Sequence, residues 1–165
     1  MMIASDIEVT LIDSDTEMID VAGEFGSKVY FGDGTRIDLL RQAGASEAAA
    51  ICFCMDGKQV GKELLEAVRE AFPQARVFVR AFDRTTLIDL RDAPHEYAVR
   101  EVMESALKMG RAALEALGDS QQDIDEAEDH YRKTDGERLD VQREAGDYRA
   151  ARDMVIRQQQ RPEKA

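Results

Sequence analysis

Residues 7–40 read IEVTLIDSDTEMIDVAGEFGSKVYFGDGTRIDLL, and this stretch decides the fold. An apolar run at 7–12 ends in Asp13, and a second, KVYF at 28–31, ends in Gly32 and Asp33. Over 16–24 and again over 35–42, apolar residues recur at three- and four-residue spacing, the period of a helix. Two further runs follow, at 50–55 with ICFCM at its heart and at 76–81, RVFVRA. Between them a helical stretch, 58–72, aligns Val60, Leu64, Leu65, Val68 and Phe72. Short strands rich in Val, Ile and Phe that alternate with helices make βαβ units, and their right-handed crossovers lay helices on both faces of a parallel sheet. The expected fold class is therefore α/β over residues 1–118. Gly44, Pro73 and Gly118 supply the helix stops.

A fifth helical segment, 100–117, carries Val102, Met103, Ala106, Leu107, Ala113, Leu114 and Leu117 as an amphipathic stripe, suited to the sheet or to a second subunit. Residues 119–165 hold 13 acids and 9 bases with few large aliphatics. A helical extension over 119–157 is expected, serving as a dimerisation arm, with a disordered tail at 158–165. Alternate three and four spacing from Ile124 reaches Tyr131, Val141, Tyr148 and Val155, a narrow seam for a partner helix, while a solvated helix with ion pairs is the alternative; Gly136 and Gly146 weaken a single long helix. The net charge of −12 and pI of 4.6 argue against a nucleic-acid partner. No apolar run reaches the ~18 residues of a bilayer span, and MMIASDIEVT lacks the pattern of a secretory signal, so a cytoplasmic location is expected. Cys52 and Cys54 share one face of a strand and are expected to be buried packing thiols; no metal is expected.

Ligands in parallel α/β sheets bind outside the carboxyl ends of the strands. Asp13 stands at such an end, where a carboxylate can accept hydrogen bonds from both ribose hydroxyls of a nucleotide. Ser14 or Asp15 can cap the helix that starts at Thr16; Asp15 serves that role well and leaves Asp13, with Ser14 beside it, to the ligand. In the next turn, Gly32 and Gly34 let a ligand ring approach the backbone. Asp33 can bond an adenine amino group or cap the helix, and Thr35 offers a hydroxyl and an N-cap. His95 and His130 lie in polar surroundings, and no general acid pairs with a substrate pocket, so an enzyme is not expected.

The stretches VTLIDSD, KVYFGDGTRIDLLRQAGASEAAAICFCMD and FPQARVFVRAFDR together resemble the regulatory domain called RCK or TrkA-N, which governs potassium channels and transporters. The following LIDLRDAPHEYAVREVMESALKMGRAALEALG resembles the cytosolic domain of the Kef systems, the glutathione-gated potassium efflux antiporters. The resemblance implies a Rossmann-like domain over 1–118 that binds AMP or NAD(H). Asp13 would hold the ribose, and Asp33 and Thr35 would border the adenine. It also implies a homodimer, a membrane antiporter as partner, and a small anionic effector such as glutathione at Arg100, whose forked guanidinium suits a carboxylate. The other use of Arg100 is an ion pair with Glu96 or Glu104. Where the family places an asparagine near the glutathione, this chain offers Asp135, and a carboxylate there repels an anionic tripeptide. Phe53 is a second departure, standing where the family often has a small polar residue.

A dinucleotide site opens with a strand, G-x-G-x-x-G and a helix whose N-terminus faces the phosphates. Gly23 and Gly26 precede a strand and are no substitute, so the fold is expected to be truncated at its N-terminus, lacking the first strand and glycine loop. In the order 3-2-1-4-5-6 that strand lies between the runs at 7–12 and 50–55. The chain reads as the distal part of a Kef-like subunit, a fragment of a full transporter. Two alternatives remain: an oligomerisation module without ligand binding, and a receiver-like phosphoacceptor domain using Asp13, Asp15 and Asp56, for which only Arg80 and Arg84 stand where a lysine is needed.

Overall fold

The computed structural model describes residues 1–24, 28–55 and 60–154. After a short 3-10 turn, Ile3–Ser5, come β1 (Thr10–Asp13), α1 (Thr16–Glu24), β2 (Lys28–Phe31), α2 (Ile37–Gln42), β3 (Ala50–Phe53), α3 (Lys62–Ala71), β4 (Arg76–Ala81), α4 (Arg84–Asp89), β5 (Tyr97–Arg100), α5 (Glu101–Ala116) and α6 (Gln121–Ala145). The alternation of strand and helix is the one the hydrophobic period prescribes. The chain groups into two compact units, the first Met1–Arg80 with Asp92–Val99, the second Ala81–Arg91 with Arg100–Ala165.

The first unit carries two hydrogen-bonded sheets, β1-β2 and β3-β4-β5. β1 and β2 run parallel with Thr10 opposite Lys28 and Asp13 opposite Phe31; β3 and β4 run parallel with Ala50 opposite Arg76 and Phe53 opposite Val79. Among the described residues no hydrogen-bonded strand joins β1 to β3, the two runs expected to flank the central place of the doubly wound order. Burial follows that division. Neither β1 nor β2 has a buried residue, whereas Ile51 and Phe53 of β3 and Val77 and Val79 of β4 are buried. The core of this unit is anchored by Leu65, Val68 and Phe72 from α3 and its C-cap, all at 0% exposure. Burying each such side chain contributes about 1.5–3 kcal/mol.

Several expectations change. β1 begins at Thr10 rather than Ile7, which is exposed. The third run ends at Phe53, and its cysteines are not packing thiols: Ile51 and Phe53 take the buried face, which by the period of two turns Cys52 and Cys54 to the exposed one. Thr35 is not an N-cap, because α2 starts at Ile37 with Arg36 before it. Gly26, Asp56, Val155 and the tail 158–165 lie outside the described residues.

Two short elements, α4 and β5, were not anticipated. RTTLID holds two threonines, which are poor helix formers, and YAVR abuts the helical stretch 100–117 without a break, although Asp83 caps α4 by accepting from the Thr86 amide at 2.8 Å and its hydroxyl at 2.9 Å. In the second unit, α6 runs unbroken through Gly136 for 25 residues and stops at Gly146, whose φ of 64° gives the left-handed turn that ends helices. Tyr131 and Val141 of the expected seam are exposed; the residues α6 buries are Ile124, Asp135 and Gln142.

Candidate functional site

The carboxyl ends of β1 and β2 are level, and the Gly32 amide donates to the Asp13 carbonyl at 2.8 Å, so the two expected ligand-facing turns stand side by side. Asp13 is exposed, and its Oδ1 accepts from the Asp15 amide at 2.9 Å. That bond fixes the turn and engages one of the two carboxylate oxygens. Asp15 caps α1, its Oδ1 accepting from the Glu17 amide at 2.9 Å. Ser14, between them, is also exposed.

In the second turn Asp33 accepts from the Thr35 amide at 2.9 Å and from the Thr35 hydroxyl at 2.7 Å. These bonds favour the ionised form, and the Thr35 amide, then its hydroxyl, holds the Asp33 carboxyl below the usual carboxylate range. The two glycines differ. Gly32 has a φ of 147°, and a Cβ there would come within 2.7 Å of Leu39 Cδ2, so the backbone itself demands glycine. A Cβ on Gly34 would make ordinary contacts with Met55 Sδ at 3.7 Å and Ile12 Cγ2 at 3.9 Å. Packing alone does not require glycine at 34, and closeness to a ligand would. The surface of α2 adds a two-point pair, Arg36 to Asp38, at 3.1 and 2.6 Å.

Arg100, in the second unit, is 8% exposed and precedes α5 as its N-cap without capping it. Its partner is neither Glu96 nor, in direct contact, Glu104: a guanidinium nitrogen donates to Asp135 Oδ2 at 2.5 Å. The other oxygen of Asp135 takes Arg84, which also donates to Gln142 Oε1 at 2.8 Å. The Gln142 amide in turn donates to the carbonyls of Tyr148 at 2.5 Å and Ala150 at 3.2 Å. Burial lowers the pKa of both guanidinium groups from the ordinary arginine value, for Arg84 with the help of neighbouring Arg100 and Arg138. Sequence reading missed Arg84 and Gln142 as members of this cluster. The one signal was spacing, since Gln142 lies seven residues, two turns, beyond Asp135 on the same helical face.

A second network ties α5 to α6. Arg132 grips Glu104 through two bonds at 2.8 and 2.9 Å and reaches Glu128 at 2.7 Å, while Arg111 meets Glu128 at 2.8 Å and Asp125 at 2.7 Å. Its members are partly exposed. α5 itself buries no residue; Val102 and Met109 on it are 46% and 72% exposed, and Leu117 at its C-cap is 80% exposed.

No described helix is long and apolar enough to cross a membrane. Comparison with known proteins gives a consistent picture. Over 133 residues the chain is 38% identical to the glutathione-regulated potassium-efflux system protein KefC of Klebsiella pneumoniae strain 342; the match covers 81% of this chain and 21% of that protein. The chain thus spans about a fifth of the length of such relatives. Among solved structures, the Kef C-terminal domain of Shewanella denitrificans in AMP-bound form is 25% identical with a TM-score of 0.67, covering 82% of this chain and 98% of that one. The TrkA-N domain of the inner membrane protein ybaL from Escherichia coli shares the fold, at 18% identity and a TM-score of 0.59 over 66% of this chain and 80% of that one. The strand-helix alternation and parallel pairing seen here are thus those of a Rossmann-like domain with a helical C-terminal extension. The TrkA-N domain model matches residues 2–101, more than half of the chain, and the protein belongs to that family.

Proposed function

We propose that this chain is the nucleotide-binding regulatory domain of a Kef-type potassium efflux system, acting at the cytosolic face of a membrane antiporter and without catalysis of its own. The observation that carries the reading is the pair of turns at the carboxyl ends of β1 and β2, open on an exposed Asp13, in a chain similar to an AMP-bound Kef domain. Asp13 and Ser14 would hold the ribose, while Gly32, Asp33, Gly34 and Thr35 border the base. The residues fit the adenosine half of AMP or NAD(H): one Asp13 oxygen is held by the turn, and Gly34 has room that packing does not claim. A phosphate cradle of the G-x-G-x-x-G kind does not follow any strand of this sequence.

The exposed apolar residues of α5 favour a homodimer. A small anionic effector such as glutathione would act at Arg100. Nucleotide would stiffen each protomer, the effector would bind one dimer arrangement better, and that difference in affinity would shift the antiporter between its states. An oligomerisation module without ligand binding is the second reading, favoured by the unburied α5. For the receiver reading, Asp15 is engaged as a helix cap, and Asp56 lies outside the described residues.

Thermal melting with AMP, NAD and NADH tests the proposal. At millimolar concentration at least one is expected to raise the melting temperature, with the rise lost in Asp13→Ala. No rise with any of the three would leave the oligomerisation reading in its place.

A further inference from the structure

We infer that Asp135 is a tethered counter-ion: it occupies the guanidinium pair of Arg84 and Arg100 in place of a carboxylate arriving from outside, so an anionic effector gains the pair only when α6 gives Asp135 up. The inference rests on the effector reading of Arg100 proposed above and concerns the regulation of that site.

Both oxygens of Asp135 are committed, Oδ1 to Arg84 and Oδ2 to Arg100. The Asp135 and Arg100 side chains are each 8% exposed, and that of Arg84 is 22% exposed. The planar fork of a guanidinium takes any carboxylate in this way, whether it belongs to a ligand or to the chain. One feature ties the cluster to the position of α6, and a second leaves Arg100 with an unused donor. Gln142, 1% exposed, takes a second Arg84 nitrogen and holds the carbonyls of Tyr148 and Ala150, so the same face of α6 and the turn after it are fastened together. Arg100 Nε is buried without a hydrogen-bond partner among the described residues, so Asp135 does not use all that this arginine offers.

Three cations stand against two carboxylates, because Arg138 acts on Arg84 as a third positive group while Glu104 acts on Arg100 besides Asp135. The surroundings are therefore favourable to an anion, and the anion present is the chain's own. A carboxylate on the same polypeptide competes at a high effective concentration, in the millimolar range or above, which places a free carboxylate of similar concentration at a disadvantage.

The test is calorimetric titration of reduced glutathione into the full chain, Asp135→Asn and Asp135→Asn/Arg100→Gln, with AMP titrated in parallel to report the nucleotide site separately. Asp135→Asn is expected to bind glutathione at least about tenfold more tightly than wild type, with the gain removed by Arg100→Gln. Equal affinity in wild type and Asp135→Asn, lost in the double variant, would keep Arg100 as the effector site and overturn the tethered counter-ion. Binding in none of the three would overturn both. The wild-type chain gives a measurement free of any folding defect: its Arg84 and Arg100 guanidinium NMR signals are expected to stay in place as glutathione is added. Their displacement would overturn the inference.

Discussion

Asp33 and Asp135 each accept hydrogen bonds on the same chemical group, yet the turn around one and the cluster around the other were made in different ways. Asp33 is exposed, and both its bonds come from Thr35, two residues along the chain. Asp135 is 6% exposed, and its partners lie 51 and 35 residues away. The first arrangement needs only a local turn and survives wherever that turn forms. The second exists only when α4, the start of α5 and α6 have assembled, and burial makes it expensive to leave incomplete. The difference separates a loop whose anion is open to solvent from a cluster whose anion is supplied and buried by the chain itself.

The largest effect expected is on the buried side. Asp135→Ala leaves two guanidinium groups without their shared anion and should cost about 3–5 kcal/mol in urea unfolding, whereas Asp33→Ala should leave the midpoint close to wild type. A loss as small at 135 as at 33 would erase the contrast. Next in size is Gly32→Ala, expected to cost about 1–3 kcal/mol because the φ of 147° and the nearby Leu39 both oppose a Cβ. Gly34→Ala should leave unfolding unchanged and weaken AMP binding, which separates a glycine kept by the backbone from one kept by the ligand.

A smaller loss, about 0.2–1 kcal/mol per exposed pair, is expected for Arg132→Gln. Added salt should shrink that loss while leaving the Asp135 deficit in place, since screening acts on exposed pairs first.

The smallest effect is a pH dependence. Asp33 titrates lower in the folded chain than in the unfolded one, so its contribution is fully present above the ordinary carboxylate pKa of about 4 and disappears as pH falls through the depressed folded value. Glu104 and Glu128 carry the same sign, held low by hydrogen bonds from Arg132 and, for Glu128, Arg111 as well. Acid unfolding of Asp33→Asn should differ from wild type by a constant amount above about pH 4 and converge with it below. A gap that widened toward acid would reverse the assigned sign.

Much of the fold was legible because its signals are short-ranged. The runs KVYF and RVFVRA became β2 and β4 at the expected residues, and Thr16–Glu24 became α1. The cap by Asp15 is a bond across two residues, readable from residue type and order alone. Less legible were α4, whose two threonines are poor helix formers, β5, which runs into α5 without a break, and the fate of Gly136, which α6 passes through because its helix-forming neighbours outweigh one poor helix former.

Sequence by itself determined the alternation of strands and helices, the carboxylate at the end of β1 and the glycine turn beyond β2, since each follows from periods of two or 3.6 residues or from bonds between near neighbours. Tertiary structure alone decided which face of β3 is buried, turning Ile51 and Phe53 in and Cys52 and Cys54 out, and which cations meet Asp135. Alternation along a strand is symmetric until something covers one side, and a charge has no preferred partner until folding takes it out of water beside one.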